Sequence, residues 1–557
     1  MTKVAQENKS LNEKTQVLIV GGGAVGLTAA LDLATRGINV IIVEKNIAET
    51  PAVPRANHLS ARTMEIFRTI GIADKIRKQG LPDDFANDVA FVTTLTGYEI
   101  ARLPIPSRNE RFNSVGYIDS SWPTPEPAHR CNQMYFEPVI RDEAIANPRI
   151  KILFQTEITD FTQDEDGVTA TGKNIVSGSL VEIRANYMIG CDGARSMVRK
   201  KIKSKFIGDD VISRNRMALV KMPDLLKNLA MEPAWMAWFM TPKGHGSVHA
   251  IDGKDLWCFH CTLPQGEEDM ESLDRDAVIK AAVGLDLPYE TIHAEDWYGR
   301  RLIASKFSDR RVFLSGDSSH IWIPMAGYGM NAGVADAVNL TWKLAAVLSG
   351  WAAPAILDTF TVERRPVTEQ VSKHVANIAV VNYAAEIRRN PPVELFEEGE
   401  VGEQARASAK GFLLEANMDQ FNCAGLNFGP VYDESSIIAS DAATPPPFEL
   451  GSYVPTTIPG CRTPYFTFEN GESLYDKMGL GFALLRTDPS LDVSAILGAA
   501  KKVGMPMEVV DIEAGAADGV YDHKLVLSRP DQYVAWRGNE VPIDAGALID
   551  QVRGAAA

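Results

Sequence analysis

A carboxylate and a set of glycines lie where a short apolar segment meets a long helical pattern. The apolar segment 311–314 is a predicted strand that leads into Gly316 and Asp317; Gly327 follows, and a helical pattern begins near Asn331. A carboxylate at a strand end can accept hydrogen bonds from a polyol, and a helix start offers unpaired N–H groups and a positive dipole end. These parts suit a ligand with a polyol chain and a ring that becomes anionic, such as reduced flavin. A turn that needs glycine only for its backbone would show the same pattern.

A second glycine-rich segment lies near the start of the chain, between two apolar strands. Residues 16–20 form a compact apolar strand, and Gly21, Gly23 and Gly26 follow it before a helical pattern and a second strand that ends at Glu44. In this setting the first glycine allows a tight turn, the second a close approach of pyrophosphate, and the third close helix–strand packing. A carboxylate about twenty residues on bonds a ribose hydroxyl. The pattern predicts a dinucleotide and does not separate FAD from NAD.

Further polar residues lie at a third strand end and beside a predicted helix. Asp192, Gly193 and Arg195 follow the apolar strand 187–191, at the usual ligand edge of a doubly wound sheet. Arg55 and Arg62 flank the start of a helix that begins after Ser60, and arginine suits phosphate by its planar fork. Solvated arginines at a helix end are the alternative interpretation.

The elements around these motifs predict an α/β protein with an inserted sheet. Residues 211–300 alternate in polarity and are rich in Trp, Phe and His, which predicts a mostly antiparallel sheet. Most of its aromatic residues are expected in the core, with a few lining a pocket for an aromatic ligand. The prolines at 445–447 indicate a linker, and the chain from about 450 onward is predicted to be a small α/β unit.

Composition limits the classes of partner. The chain has 557 residues and a net charge of −16, which argues against nucleic acid and anionic membrane as main partners. We find no apolar run of transmembrane length, and the polar residues 1–14 predict a loose tail without a signal peptide. Six scattered cysteines indicate a reduced, cytoplasmic protein. Cys258 and Cys261 have metal-like spacing, but they lie on a predicted strand, and we expect buried thiols and no metal.

Taken together, the three motifs resemble the class A flavoprotein monooxygenases, the single-component aromatic hydroxylases related to para-hydroxybenzoate hydroxylase and phenol hydroxylase. The likeness is nearest the phenol hydroxylase and dichlorophenol hydroxylase branch and covers nearly the whole chain. Segments 55–67, 358–366 and 529–537 also resemble this family. The resemblance decides for FAD over NAD.

The resemblance implies an α/β fold with three parts. These are an FAD-binding, Rossmann-like domain of the glutathione reductase type, an inserted antiparallel-sheet substrate domain, and a thioredoxin-like C-terminal domain without a redox-active Cys-x-x-Cys. The implied boundaries are 15–85, 130–205 and 300–390 for the FAD domain, 86–129 and 206–299 for the substrate domain, 391–450 for a helical segment and linker, and 451–557 for the C-terminal domain.

The resemblance also assigns cofactor-binding roles. For the dinucleotide end of FAD it implies Gly21, Gly23 and Gly26 at the pyrophosphate, Glu44 at the adenosine ribose and Gln133 at the phosphate or ribityl region. For the flavin end it implies Asp317, after Gly316, at the ribityl hydroxyls and the backbone of Ala326, Gly327, Met330 and Asn331 at the ring. Asp192 and Arg195 belong to a motif tied to both FAD and NADPH.

The implied reaction is the hydroxylation of a phenolic or other aromatic substrate. NADPH or NADH reduces FAD without a separate nicotinamide domain, and O2 then gives a flavin C4a-hydroperoxide that transfers its terminal oxygen, ortho to the hydroxyl. Candidates for the group that assists the phenol are His58, His249, His260 and Tyr298. Asn57 matches an Asp of phenol hydroxylase and can hydrogen-bond but cannot act as a base. A homodimer is expected from the family.

Three alternatives remain at this point. A flavin epoxidase or a Baeyer–Villiger-type oxygenase of the same fold would use the same flavin chemistry in a differently shaped pocket. A flavin-binding protein without turnover would carry the C-terminal unit as an interaction module. An ordinary nicotinamide dehydrogenase would leave Asp317 and the helix after it unexplained.

Overall fold

A computed structural model of the chain describes residues 11–50, 53–264, 266–384, 386–512 and 519–556, with backbone only at 380 and 382–384. The strands are, in chain order, β1 (Leu11–Val20), β2 (Val40–Val43), β3 (Val89–Val92), β4 (Glu99–Leu103), β5 (Ile150–Leu153), β6 (Thr156–Gln163), β7 (Val168–Asn174), β8 (Leu180–Gly190), β9 (Phe206–Lys221), β10 (Met236–Thr241), β11 (Gly244–Ala250), β12 (Leu256–Thr262), β13 (Glu290–Ala304), β14 (Ser308–Asp309), β15 (Val312–Leu314), β16 (His320–Trp322), β17 (Phe482–Arg486), β18 (Met507–Asp511), β19 (Leu525–Ser528) and β20 (Val534–Gly538).

The α-helices are, in the same order, α1 (Ala24–Thr35), α2 (Ala61–Thr69), α3 (Ala73–Arg77), α4 (Gln133–Ala146), α5 (Met197–Lys201), α6 (Leu225–Asn228), α7 (Arg275–Val283), α8 (Gly329–Leu348), α9 (Thr359–Ala384), α10 (Glu386–Arg389), α11 (Gly399–Phe421), α12 (Ala424–Phe428), α13 (Leu474–Met478), α14 (Ser494–Lys502) and α15 (Ala545–Val552). Short 3-10 turns at Gly316–Ser318 and Met325–Gly327 precede α8. None of the helices in the described ranges combines the length and the apolarity needed to cross a membrane.

The first sheet carries the motifs found in the sequence. Its order is β14-β15-β8-β1-β2-β5, and β1 is parallel to both β2 and β8. Helices α1 and α8 pack against each other beside it. Because the carboxyl ends of parallel strands meet at one edge, the residues that follow β1, β8 and β15 gather there. The α/β fold predicted for this part of the chain is confirmed.

The expected loose tail 1–14 is wrong at its last four residues. Leu11–Lys14 extend β1, and they pair in parallel with Val181–Arg184 of β8. The main-chain N–H and carbonyl groups of this part of β1 pair with β8, which stabilises it as a strand. Because it lies at the exposed end of the sheet, its polar side chains do not oppose strand formation. Residues 1–10 lie outside the described residues.

The second sheet is the predicted insertion. Its order is β16-β13-β9-β12-β11-β10-β3-β4, and the pairing is antiparallel except between β10 and β3. The aromatic residues of β10 and β12 lie on both of its faces, so that Phe239 and Phe259 enter the core while Trp238 and His260 face a cavity. The mostly antiparallel character inferred from the alternating pattern is confirmed.

The C-terminal unit has its own sheet of order β18-β17-β19-β20. β17 is parallel to β18 and antiparallel to β19, and α14 joins the parallel pair, which is a thioredoxin-like arrangement. The turn between β19 and β20 reaches back to the first part of the chain. There Arg529 is fully buried and forms two hydrogen bonds to Glu363 of α9, at 2.7 and 2.9 Å.

Candidate active site

A cavity of about 600 Å³ lies between the carboxyl edge of the first sheet and the inner face of the second. The two sheets contribute different chemistry to its wall. From the first come backbone turns and a carboxylate, at Gly23–Gly26, Asp317 and Ala326–Gly327; from the second come aromatic and imidazole rings, at Trp235, Trp238, His249, His260 and Trp297.

Two of the glycines after β1 are required because a side chain at either position would clash with neighbouring backbone atoms. Gly21 has φ +111°, and a Cβ built on it would lie 2.2 Å from the carbonyl oxygen of Cys191. A Cβ on Gly26 would lie 2.1 Å from the Gly21 carbonyl oxygen, so this glycine allows α1 to start against the turn. A Cβ on Gly23 would meet no described atom within 4 Å, and Gly23 lines the cavity. The open space at Gly23, at the start of α1, fits a pyrophosphate.

Glu44 lies at the end of β2, next to the glycine turn and outside the cavity wall. Its Oε2 accepts a hydrogen bond from Gly22 N–H at 2.7 Å, and its Oε1 accepts one from Asn46 N–H at 2.8 Å. The carboxylate is therefore fixed in direction beside the turn. This is where a ribose hydroxyl would reach it.

Asp317 is the carboxylate that faces the cavity below the start of α8. Its side chain is open to the cavity while protein encloses its other sides, and this burial raises its pKa. Ala326 and Gly327 both have left-handed backbone, with φ of +58° and +63°, and they turn the chain into α8. The first backbone hydrogen bond of α8 runs from Ala332 N–H to Tyr328 O, which leaves the preceding N–H groups for a ligand.

Asn331 does not direct its side chain at the cavity. Its Oδ1 accepts a hydrogen bond from Ser60 N–H at 2.9 Å, and its Nδ2 donates to the carbonyl of His58 at 3.0 Å and to that of Gly327 at 2.6 Å. The side chain thus holds the loop before α2 against the turn before α8. Met330 lines the cavity beside it.

Asp192 lies outside the cavity wall and binds the start of α5. Asp192 Oδ2 accepts hydrogen bonds from Met197 N–H and Val198 N–H, at 2.7 and 3.1 Å, while its Oδ1 is buried without a partner among the described residues. Gly193 lines the cavity, whereas Arg195 is exposed and lies outside its wall. The structure places the two charged residues of this motif apart.

The two arginines that flank α2 have different surroundings. Arg55 lines the cavity rim, is 64% exposed and lies 3.5 Å from Glu295 of β13. Arg62 is buried outside the cavity, where it pairs with Glu65 at 2.9 Å and donates to the carbonyl of Asp531 at 2.7 Å. The structure therefore commits Arg62 to the C-terminal unit and leaves Arg55 available to a phosphate.

Gln133 begins α4 at the cavity wall. Its N–H donates to the carbonyl of Ala56 at 2.7 Å, and its Nε2 donates to Glu137 at 2.6 Å. Asn57 also lines the cavity, and its Oδ1 accepts a hydrogen bond from Nδ2 of Asn132, the residue that caps α4. These contacts fix the loop that precedes His58.

The imidazoles named from the sequence are brought together at the cavity. His58 packs on the turn at Gly327, where an added Cβ would lie 3.1 Å from His58 Cβ. His249 and His260 lie edge to face with ring centroids 5.4 Å apart. Burial lowers the pKa of His260 to about 4 and holds the pKa of His58 and of His249 well below the usual value for histidine, so all three are neutral at physiological pH. Tyr298 is 43% exposed at the cavity rim.

Sequence reasoning missed two parts of the wall. Arg130 lies between the bridge at Leu59 and His129 and the start of α4, and a lone arginine at that position shows no local pattern. Gln420 and Phe421 reach the cavity from the end of α11, far along the chain. The pair Cys258 and Cys261 are free and buried, and the described residues contain no group of side chains that could hold a metal ion.

The site fits an extended dinucleotide with a flavin ring. The open cradle at Gly23, the cavity-facing carboxylate of Asp317 and the start of α8 follow one another along the wall, and aromatic rings line the rest. This arrangement defines the class as flavoprotein oxygenases that act on aromatic compounds.

Comparison with known proteins leads to the same class. A family model described as FAD binding domain matches residues 14–375, and one described as aromatic-ring hydroxylase, C-terminal, matches residues 456–555. The chain belongs to the FAD-dependent aromatic monooxygenase family, as the motifs had predicted.

Relatives and solved structures cover almost the whole chain. FAD-dependent monooxygenase apdD of Emericella nidulans is 30% identical over 98% of this chain and 91% of its own, and 2,4-dichlorophenol 6-monooxygenase of Cupriavidus pinatubonensis is 27% identical over 98% and 96%. The structure of RebC with reduced flavin has a TM-score of 0.87 at 32% identity, covering 98% of this chain and all of that one. Aklavinone-11 hydroxylase with FAD and aklavinone has a TM-score of 0.80 at 25% identity, covering 97% and 99%.

Proposed function

We propose that this flavoprotein monooxygenase uses NADPH or NADH to hydroxylate a multi-ring phenolic compound. The reaction consumes O2, NAD(P)H and a proton; it adds one oxygen atom to the ring and releases the other as water. The observation that carries the proposal is the cavity of about 600 Å³, whose wall joins the Asp317 carboxylate and the start of α8 to a set of aromatic rings. Sites for small molecules and cofactors have volumes of about 300–1,000 Å³, and this cavity lies within that range.

The residues of this chain bind and orient, while FAD supplies the redox chemistry when it is bound. Asp317 would accept hydrogen bonds from the ribityl hydroxyls, and the N–H groups at Gly329 and Met330, with the dipole of α8, would stabilise negative charge on the flavin ring. Trp235, Trp238 and Trp297 exclude water from the substrate side of the cavity.

Relatives support a large substrate. The names of similar proteins include tetracenomycin B2 monooxygenase-dioxygenase of Streptomyces olivaceus and a putative polyketide hydroxylase of Streptomyces halstedii, each 28% identical over 96% of this chain. We extend the proposal to a homodimer in a reducing, cytoplasmic compartment. All six cysteines are free, and five of them are buried, which supports a protein that needs no disulfide.

The test begins with the visible spectrum of the purified protein and its FAD content. NADPH or NADH is then added with single-ring phenols and with hydroxylated naphthalenes and anthraquinones. We expect faster NAD(P)H oxidation with a multi-ring phenol and a product one oxygen heavier, labelled when 18O2 is supplied. Oxidation that yields only hydrogen peroxide would identify the compound as an effector. A ring-expanded lactone would identify a Baeyer–Villiger reaction, and a protein that takes up no FAD would refute the assignment.

A further inference from the structure

Arg130 is a buried arginine in the cavity wall that forms no salt bridge with any described residue. Within the described ranges, two arginines line the cavity: Arg55, which lies at the rim near Glu295, and Arg130, which is 9% exposed. The Nε of Arg130 is buried without a hydrogen-bond partner among the described residues. A buried charge without a partner costs free energy, so a buried arginine of this kind is expected to bind an anionic ligand.

The charge of the Asp119 carboxylate acts on Arg130, but the oxygens of this carboxylate are already bound by another arginine. Asp119 is bound by Arg111 through two parallel hydrogen bonds, at 3.0 and 2.5 Å. Burial and the charge of Arg111 lower the pKa of Arg130 to about 10, which leaves it a cation at neutral pH. Asp119 stabilises the Arg130 cation through its charge, but both of its oxygens are bound by Arg111, so the group formed by these three residues carries a net positive charge.

The position of Arg130 places it on the substrate side of the cavity. Its guanidinium stacks over the ring of Trp235, 4.3 Å from the centroid, and Trp235 in turn packs on His249 at 5.5 Å. His249 lies in β11 of the second sheet, and Trp235 immediately precedes β10 of the same sheet. The pyrophosphate cradle at Gly23 and the Asp317 carboxylate belong to the first sheet, so a cofactor phosphate bound there is held by other groups.

We propose that Arg130 binds an ionised oxygen of the aromatic substrate, a phenolate or a carboxylate, and thereby sets the orientation of its rings against the flavin. This inference rests on the proposed function. Stacking on Trp235 fixes the plane of the guanidinium, and its N–H groups that face the cavity donate to the oxygen. A phenol that binds in this way leaves its proton in bulk water, and its ring becomes more electron-rich.

Arg130 also contributes to the neutral state of two of the imidazoles. Arg130 is one of the charges that lower the pKa of His58 and of His249, after burial as the main cause. Neutral rings beside a fixed cation present hydrogen-bonding groups to the remaining polar atoms of the substrate. The cation takes the place of a general base, because it stabilises the ionised form of the phenol directly.

The test measures how strongly the FAD-loaded protein prefers charged over neutral probes. Dissociation constants are measured from the perturbed flavin spectrum for anthraquinone-2-carboxylate and its uncharged amide. The second arm follows 2-hydroxyanthraquinone, whose phenolate is distinguished from its phenol by absorbance. We expect at least tenfold tighter binding of the carboxylate than of the amide, or a pKa of the bound phenol at least one unit below that of the free phenol; the arm that responds identifies the oxygen.

Three variants make the result specific. Arg130→Met removes the preference in the responding arm, Arg130→Lys retains part of it, and Arg300→Met, which removes a charge that lies outside the cavity wall and pairs with Asp210, retains it fully. The FAD content of each variant shows that the site is intact. If Arg130→Met does not bind FAD, the role of Arg130 is decided by comparing the charge preference of Arg130→Lys with that of the wild type.

Two outcomes overturn the inference. One is an equal preference in the wild type and Arg130→Met; the other is that neither charged probe is preferred, or bound, by the wild type. Failure of the proposed function has a different signature, since it shows as a protein without FAD or without a hydroxylated product. A variant that still hydroxylates with unchanged charge preference refutes only the role of Arg130.

Discussion

Asn331 in the first turn of α8 donates a hydrogen bond to the carbonyl of His58, 3.0 Å away, and the two residues are 273 positions apart in sequence. The same side chain accepts from Ser60 N–H at 2.9 Å. One amide therefore joins the loop that carries His58 to the start of α8 at the cavity.

Replacing Asn331 with Ala leaves Ser60 N–H and the His58 carbonyl buried without these partners. We expect a loss of about 2 kcal/mol in the free energy of unfolding, with weaker FAD binding because the turn at Gly327 is no longer held. Urea denaturation and FAD titration measure both effects. Asn331→Asp, which keeps the acceptor for Ser60 N–H, provides the comparison, and an alanine variant with unchanged FAD affinity would show that the turn is held by other contacts.

Gly23 and Gly26 lie three residues apart, and their replacement by Ala has different consequences. At Gly26 the new Cβ would lie 2.1 Å from the Gly21 carbonyl oxygen, and we expect destabilisation of the apoprotein by about 3 kcal/mol. At Gly23 it meets no described atom within 4 Å, so we expect an apoprotein of normal stability that binds FAD weakly. Thermal melts with and without FAD separate the two cases. Full FAD affinity in Gly23→Ala would place the pyrophosphate elsewhere.

Asp317→Ala tests the carboxylate that faces the cavity. Hydrogen bonds from hydroxyls to a charged acceptor are lost, and we expect FAD affinity to fall about 10- to 100-fold. Asp317→Asn retains one acceptor oxygen and is expected to lie between the wild type and Asp317→Ala. Fluorescence titration of the apoprotein with FAD gives the affinities. Asp309→Ala, a half-buried position in β14 away from the cavity, serves as the control.

Glu363 is fully buried between two cations, Lys343 at 2.7 Å and Arg529 at 2.7 and 2.9 Å. These charges hold the pKa of Glu363 well below its usual range. Glu363→Gln leaves both cations without this carboxylate, and we expect a loss of about 3–5 kcal/mol of unfolding free energy. Lys343→Met leaves the pair of Glu363 with Arg529 intact and is expected to cost less. Equal losses in urea denaturation would contradict a central role for Glu363.

The buried histidines make stability depend on pH. The pKa of His260 is lowered to about 4, below that of an unfolded histidine near 6.5, so the unfolded state binds the proton more readily in between. The stability that the neutral ring contributes is full above about pH 6.5 and is lost as pH falls towards 4. We expect the urea midpoint to fall over this range, and to fall less in His260→Gln. Parallel curves for the two proteins would argue against this assignment.

Local patterns were enough to predict that the glycine turn after β1 and Asp317 after β15 lie at one edge of the first sheet, where the structure places both in the wall of one cavity. The glycines after β1 and Asp317 after β15 belong to strand–turn–helix segments whose chemistry is contained in a few neighbouring residues. Glu44 was found in the same way, and the structure adds its hydrogen bonds to Gly22 and Asn46. The antiparallel sheet followed from the alternating polarity of residues 211–300, and the first sheet followed from compact apolar segments that end at these motifs.

Contacts between segments that are distant in sequence could not be predicted from local patterns. Arg62 was interpreted as a phosphate ligand, but its partner Gln532 lies 470 positions further along the chain. Arg130 has no local signal, because what distinguishes it is a buried Nε without a hydrogen-bond partner among the described residues, together with the pairing of Asp119 to Arg111. The strand character of Leu11–Lys14 depends on pairing with Val181–Arg184, which composition alone did not indicate.

The pairing of Glu363 with Arg529 has a consequence for how the protein is made. The two residues are 166 positions apart, so during synthesis the carboxylate leaves the ribosome long before its bidentate partner. Until then Glu363 is paired with Lys343 and lacks the two hydrogen bonds from Arg529. The ion pairs between α8 and α9 are therefore completed only by the C-terminal unit, and a chain cut short before Arg529 lacks the bidentate pair with Glu363.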